Sequence, residues 1–178
     1  MTQTNLKNTV RIAAAYACTL LAAAGLVPTA QATSTATTTF LVQITLTSSC
    51  AISASTLNFG AAVGLLTSAV NGTTTVSVTC SNTTPYNVGL DAGTVSGSTV
   101  TARLMAGTTA GNTGTTMSFG LYQDSGHATL WGNTVGTNTV SGTGNGSAQS
   151  ITVYGQVPAQ TTPKPDTYQT TITATVTY

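Results

Sequence analysis

Apolar and polar residues alternate with a period of two in several separate stretches of the chain. In Phe40-Leu41-Val42-Gln43-Ile44-Thr45-Leu46 every even position is large and apolar. Val76, Val78 and Cys80 share one face of a second stretch, and Tyr86, Val88 and Leu90 one face of a third. Met117, Phe119 and Leu121 repeat the pattern, as do Ile151, Val153 and Val157. Towards the C-terminus, Tyr168, Ile172, Ala174, Val176 and Tyr178 point one way while Gln169, Thr171, Thr173, Thr175 and Thr177 point the other, which predicts one long final strand. Successive side chains of a strand leave on opposite faces, so each stretch predicts a strand with one buried and one wetted side. Helical periodicity is absent after residue 32, and Gly, Asn and Ser clusters punctuate the strands. One apolar face per strand predicts two sheets packed face to face. The fold class expected is all-β, with strand spacing that suits an immunoglobulin-like β-sandwich. Residues 107–114 and 142–147 read as Gly-rich loops, and 158–165 as a turn-rich connection.

The N-terminus has a different pattern. Lys7 and Arg11 precede a nearly unbroken apolar run from Ile12 to Val27, ended by Pro28 and followed by Ala30-Gln31-Ala32. That is the layout of a secretory signal peptide over residues 1–32, and the run is shorter than the roughly 20 residues that span a bilayer. Cys18 lies inside the apolar run, whereas a lipidated cysteine should follow it. With the signal peptide removed, Cys50 and Cys80 remain as a pair in an exported chain, which predicts a disulfide. Such a bridge would contribute about 3–4 kcal/mol; the alternative is two buried free thiols.

Charge is scarce. After residue 32 the only cations are Arg103 and Lys164, against Asp91, Asp124 and Asp166. No basic patch exists to neutralise phosphates, which excludes nucleic-acid binding as a reading. Thr, Ser, Asn and Gln wet the surface instead. Catalysis needs converging titratable groups, and here there is one His, His127, in a turn-like stretch, with no nucleophile elbow. No zinc spacing, calcium loop or phosphate loop is present, so neither a metal nor a cofactor is expected. Trp131, Tyr122 and Tyr154 could form an aromatic sugar platform or could be core and rim residues of the sandwich.

The order and spacing of five segments are similar to the spore coat protein U domain family, which includes subunits of archaic chaperone–usher pili. They are Leu57-Asn58-Phe59-Gly60, Val76 to Cys80, Phe119 to Asp124 with Leu130-Trp131-Gly132, Val153 to Pro158, and Tyr168 to Tyr178. The resemblance covers nearly all of residues 37–178 and places Cys50 and Cys80 at the family's bridge positions. Asp166-Thr167-Tyr168-Gln169-Thr170 departs from the family's Gly-x-Tyr-x-Asp. The resemblance implies an incomplete sandwich, completed first by a periplasmic chaperone and then, at an outer-membrane usher, by the N-terminal segment of the next subunit. It implies that residues 33–47 are the donor strand, with Phe40, Val42, Ile44 and Leu46 as its plugs, ahead of a domain over 48–178. The acceptor elements would be the strand just after Cys50 and the C-terminal strand. Val176 and the terminal aromatic Tyr178 would contact the chaperone. The expected function is a structural, non-enzymatic subunit of a cell-surface fibre supporting adhesion and biofilm formation, with copies of itself and other pilus subunits as partners. The readings kept beside it are a spore or cyst coat protein and a monomeric lectin-like module whose first strand, residues 40–46, pairs within its own chain.

Overall fold

The structure, a computed structural model, describes residues 31–61 and 65–178. The charged and apolar regions of the expected signal peptide lie outside the described residues. The chain divides into two units, ending at Gln43 and starting at Ile44. In the first, residues 31–43 carry no strand.

The second unit, Ile44–Tyr178, holds nine strands and, among the described residues, no helix. They are β1 Cys50–Ala54, β2 Val70–Cys80, β3 Pro85–Leu90, β4 Arg103–Gly107, β5 Thr116–Tyr122, β6 Val140–Thr143, β7 Gln149–Val157, β8 Tyr168–Gln169 and β9 Ala174–Thr177. Six form one sheet in the order β1-β2-β7-β5-β4-β8, and three form a second in the order β6-β3-β9. Every ladder is antiparallel. The architecture is the all-β, immunoglobulin-like sandwich that the alternation predicts.

The inward residues are those the period of two selects. Val76, Val78, Val153, Val157, Phe119 and Leu121 of the larger sheet pack with Tyr86, Val88 and Leu90 of the smaller. Fully burying such side chains contributes roughly 1.5–3 kcal/mol each. Cys50 faces Cys80 in the β1–β2 register, and the two form a disulfide. The bridge pins an edge strand that has a ladder on one side only.

Trp131 is 0% exposed, and its indole N–H donates to the Val88 carbonyl at 2.8 Å. It is a core residue, which removes it from any sugar platform. Arg103 is equally buried. Its guanidinium donates to the carbonyls of Leu90 (2.9 Å), Asp91 (2.8 Å), Val100 (3.1 Å) and Trp131 (2.7 Å). Burial pushes its pKa down to about 10 against the opposing charge of Asp91.

Two expectations are revised. Residues 168–178 keep the alternation but not one ladder: β8 pairs with β4, and β9 pairs with β3 in the other sheet. Asp91 drives the crossing, since its N–H donates to the Thr173 carbonyl (3.1 Å) and its carboxylate accepts the Thr173 N–H (2.9 Å). The expected loop at 142–147 begins inside β6, because Gly142 gives the Tyr86 ring room to lie against the strand.

Candidate functional site

The larger sheet's inner face is only partly covered by the smaller sheet, and the gap is an open cleft of about 1120 Å³. Its floor is apolar: Val70, Val153 and Val157 from β2 and β7, Met117, Phe119 and Leu121 from β5, and Met105 from β4. One wall is the chain leaving β1, Ala54–Ala61; the other is Thr162–Ile172, between β7 and β9.

Each wall has a local cause. Gly72 and Gly155 face each other in the β2–β7 ladder. Without side chains they leave a flat seat on which Leu57 and Phe59 rest; a Cβ on Gly155 would come within 2.5 Å of Leu57 Cδ2 and 2.9 Å of Phe59 Cζ. Phe59 also meets Phe119 edge-on, with ring centroids 6.4 Å apart. The wall ends in a turn at Gly60, which has φ +77° and an N–H that donates to Asn58 Oδ1 at 2.8 Å. The opposite wall is held by the Asp166 carboxylate, which accepts from Thr109 and Asn112 of the β4–β5 loop. Those donors, Asn112 first, hold the carboxyl well below the usual carboxylate range.

The backbone beside the cleft is unpaired. Among the described residues β1 ends one sheet and β9 ends the other, so each has one side without a ladder. The two approach one another but exchange no ladder. An apolar floor between two open strand edges can accept an extended segment, with hydrogen bonds from the edges and pockets for alternate side chains.

Of the residues expected to plug such a cleft, Phe40, Val42, Ile44 and Leu46 are 80–86% exposed, and residues 40–46 carry no strand. Val176 is half-buried in β9, paired with Val88, and Tyr178 is exposed beyond it.

The remaining candidates for chemistry do not converge. Asp91 accepts from Gly93 and Thr173, and Asp124 from Ala128 and Thr129 in its own turn. The Thr129 and Ala128 N–H groups lower the pKa of Asp124. His127 lies edge-on to Tyr122, with its Nδ1 3.3 Å from Gln156 Nε2 and no carboxylate partner. Among the described residues no three His, Cys, Asp or Glu group together as metal ligands. The buried Arg103 escapes a reading of the sequence. The walls are signalled there only through motif segments, Leu57-Asn58-Phe59-Gly60 on one side and Asp166 to Thr170 on the other.

Comparison with solved structures finds a related fold. A crystal structure of the CsuC–CsuE chaperone–tip adhesion subunit pre-assembly complex, from the archaic chaperone–usher Csu pili of Acinetobacter baumannii, matches with a TM-score of 0.53 and 23% identity. The match covers 75% of this chain and 40% of that one. A search of the curated proteins finds no match. Residues 36–175, most of the chain and all of the cleft, match the Spore Coat Protein U domain model, and the chain belongs to that family.

Proposed function

We propose that this protein is a structural subunit of a secreted surface fibre, a pilus of the chaperone–usher type, assembled by donor-strand exchange. Residues 33–47 of one copy lie in the cleft of the next, with Phe40, Val42, Ile44 and Leu46 on the apolar floor. The observation that carries this reading is complementarity within one sequence. The chain has an open apolar cleft beside two unpaired strand edges, and it also has an exposed segment with apolar side chains at every second position.

Burying those four side chains contributes about 6–12 kcal/mol gross. Ordering the backbone from Phe40 to Leu46 costs about 1–2 kcal/mol per residue, which nearly cancels that gain. The surplus comes from ladder hydrogen bonds along the free edges, at about 1 kcal/mol each, and from closing the acceptor's own core. The polymer is thus held by mutual completion of folds. Before a neighbour arrives, a periplasmic chaperone covers the cleft and contacts Val176 and Tyr178, and an outer-membrane usher exchanges it for the next subunit. The role is structural rather than catalytic. The fibre stands on the cell surface, with other pilus subunits, and supports adhesion and biofilm formation.

The test is a gel of protein sheared from intact cells, run in SDS with and without boiling. A ladder of multimers that collapses to one band on boiling is expected, and deleting residues 33–47 should abolish it. A single monomer band in both lanes from well-expressed protein sinks the reading.

A further inference from the structure

Asp166 does more than satisfy a turn. Its Oδ1 accepts from Thr108 Oγ1 (3.2 Å), Thr109 Oγ1 (2.8 Å) and its neighbour's N–H at Thr167 (2.7 Å). Its Oδ2 accepts from the Thr109 N–H (3.0 Å) and Asn112 Nδ2 (2.7 Å). Asn112 is 7% exposed, and the same Nδ2 reaches the Tyr168 hydroxyl at 3.2 Å. That hydroxyl donates to the Lys164 carbonyl at 2.7 Å. The amide oxygen of Asn112 is left without a partner, so the acceptors on Nδ2 decide how the side chain lies. Gly107 makes room: a Cβ there would come within 2.6–2.7 Å of Asn112 and Asp166.

The network joins two elements with little else between them. One is the β4–β5 loop, anchored in the larger sheet. The other is the stretch from Thr162 to Tyr168, which lines the cleft. That stretch includes Pro163 and Pro165, which have no N–H to donate. Its regular pairing is limited to the two-residue β8 and a bond from the Thr108 N–H to the Thr167 carbonyl at 3.1 Å.

We propose that Asp166 is a positioning residue for the strand that enters the cleft, holding the Thr162–Tyr168 wall in place before the strand arrives. The inference rests on the donor-strand reading. An incoming segment then meets a preformed wall instead of one it must order. Each residue ordered only at docking weakens binding by roughly tenfold.

The test uses the full chain and a fluorescent synthetic peptide of residues 35–47 as probe. Peptide affinity, hydrogen exchange and urea unfolding followed at Trp131 are compared for wild type, Asp166→Ala and Asp166→Asn. Asp166→Ala should bind at least tenfold more weakly and exchange faster at 162–168 in the free chain, with protection restored by saturating peptide. Asp166→Asn, which keeps one acceptor oxygen, should lose less. Two outcomes overturn the assignment: binding by Asp166→Ala within twofold of wild type, or weaker binding with faster exchange across the whole sandwich. If the alanine variant does not fold, Asp166→Asn decides by the same criteria. If wild type itself takes up no peptide, the donor-strand reading fails and this inference with it.

Discussion

Replacing Arg103 by Met removes a buried side chain whose hydrogen bonds join the two sheets from inside. Arg103 belongs to β4 of the larger sheet, while the Leu90 and Asp91 carbonyls close β3 of the smaller one, and the Trp131 carbonyl lies in the loop that β5 leads into. Methionine fills a similar apolar volume but donates nothing. The Leu90 and Trp131 carbonyls are then stripped of a donor in the interior, at about 1–3 kcal/mol each. The Asp91 and Val100 carbonyls lie nearer solvent, where water can take the donor's place. The loss expected is therefore about 2–6 kcal/mol, a large share of the 5–15 kcal/mol typical of a domain. Urea unfolding read by the fluorescence of Trp131, the sole tryptophan, measures it. Arg103→Lys, which keeps the charge but not the planar fork, should lose about half as much. A methionine variant within about 0.5 kcal/mol of wild type would place Arg103 among substitutions that touch no structural feature and refute the account.

Other outcomes are expected from the same structure. Reducing the Cys50–Cys80 bridge, which closes 30 residues, should lower stability by roughly 3–4 kcal/mol, read as the shift of the urea midpoint with dithiothreitol. Gly155→Val should unseat Leu57 and Phe59 and cost about 1–3 kcal/mol through overpacking, with near-UV circular dichroism reporting the disturbed Phe59–Phe119 contact. Asp124 and Asp166 both have folded pKa values below their unfolded ones. The stability they add is complete above the unfolded value of about 3.9 and is lost as pH falls through the folded values. Urea midpoints measured from pH 5 to pH 2 should fall, and Asp166→Asn should flatten that slope.

The strands legible in the sequence are those with at least two large apolar side chains at successive inward positions. β2, β3, β5 and β7 announce themselves through Val76, Val88, Phe119, Val153 and their neighbours two residues away. β4 stays hidden because its inward positions include Arg103 and Gly107, one charged and one without a side chain. β6 is hidden by Gly142. For Trp131 the sequence leaves open a core or rim position or a sugar platform, and its full burial with the bond from its indole to Val88 shows that it is core. The cleft is the least legible feature. Met105, Met117, Leu57 and Phe59 are apolar whether they line a gap or fill a core, and period two says which face a side chain takes, not whether anything covers it. What the alternation does disclose is an apolar face at Phe40–Leu46.

The strand order has a consequence in time. Only β1–β2 and β4–β5 join strands consecutive in the chain; the other five ladders bring together strands separated in sequence by at least one other. Chains that depend on such distant pairings fold in milliseconds to seconds, far slower than those built from local contacts. β9, which follows the other eight strands in the chain, pairs only with β3 at the edge of the smaller sheet, so that sheet is completed after the strands of the larger one have been made. Through that whole interval a sparsely charged, Thr-rich polypeptide carries bare sheet edges with little electrostatic repulsion to keep copies apart. The yield of usable protein is then a race between folding and encounter, and is expected to fall with the rate of synthesis even where the folded state is stable.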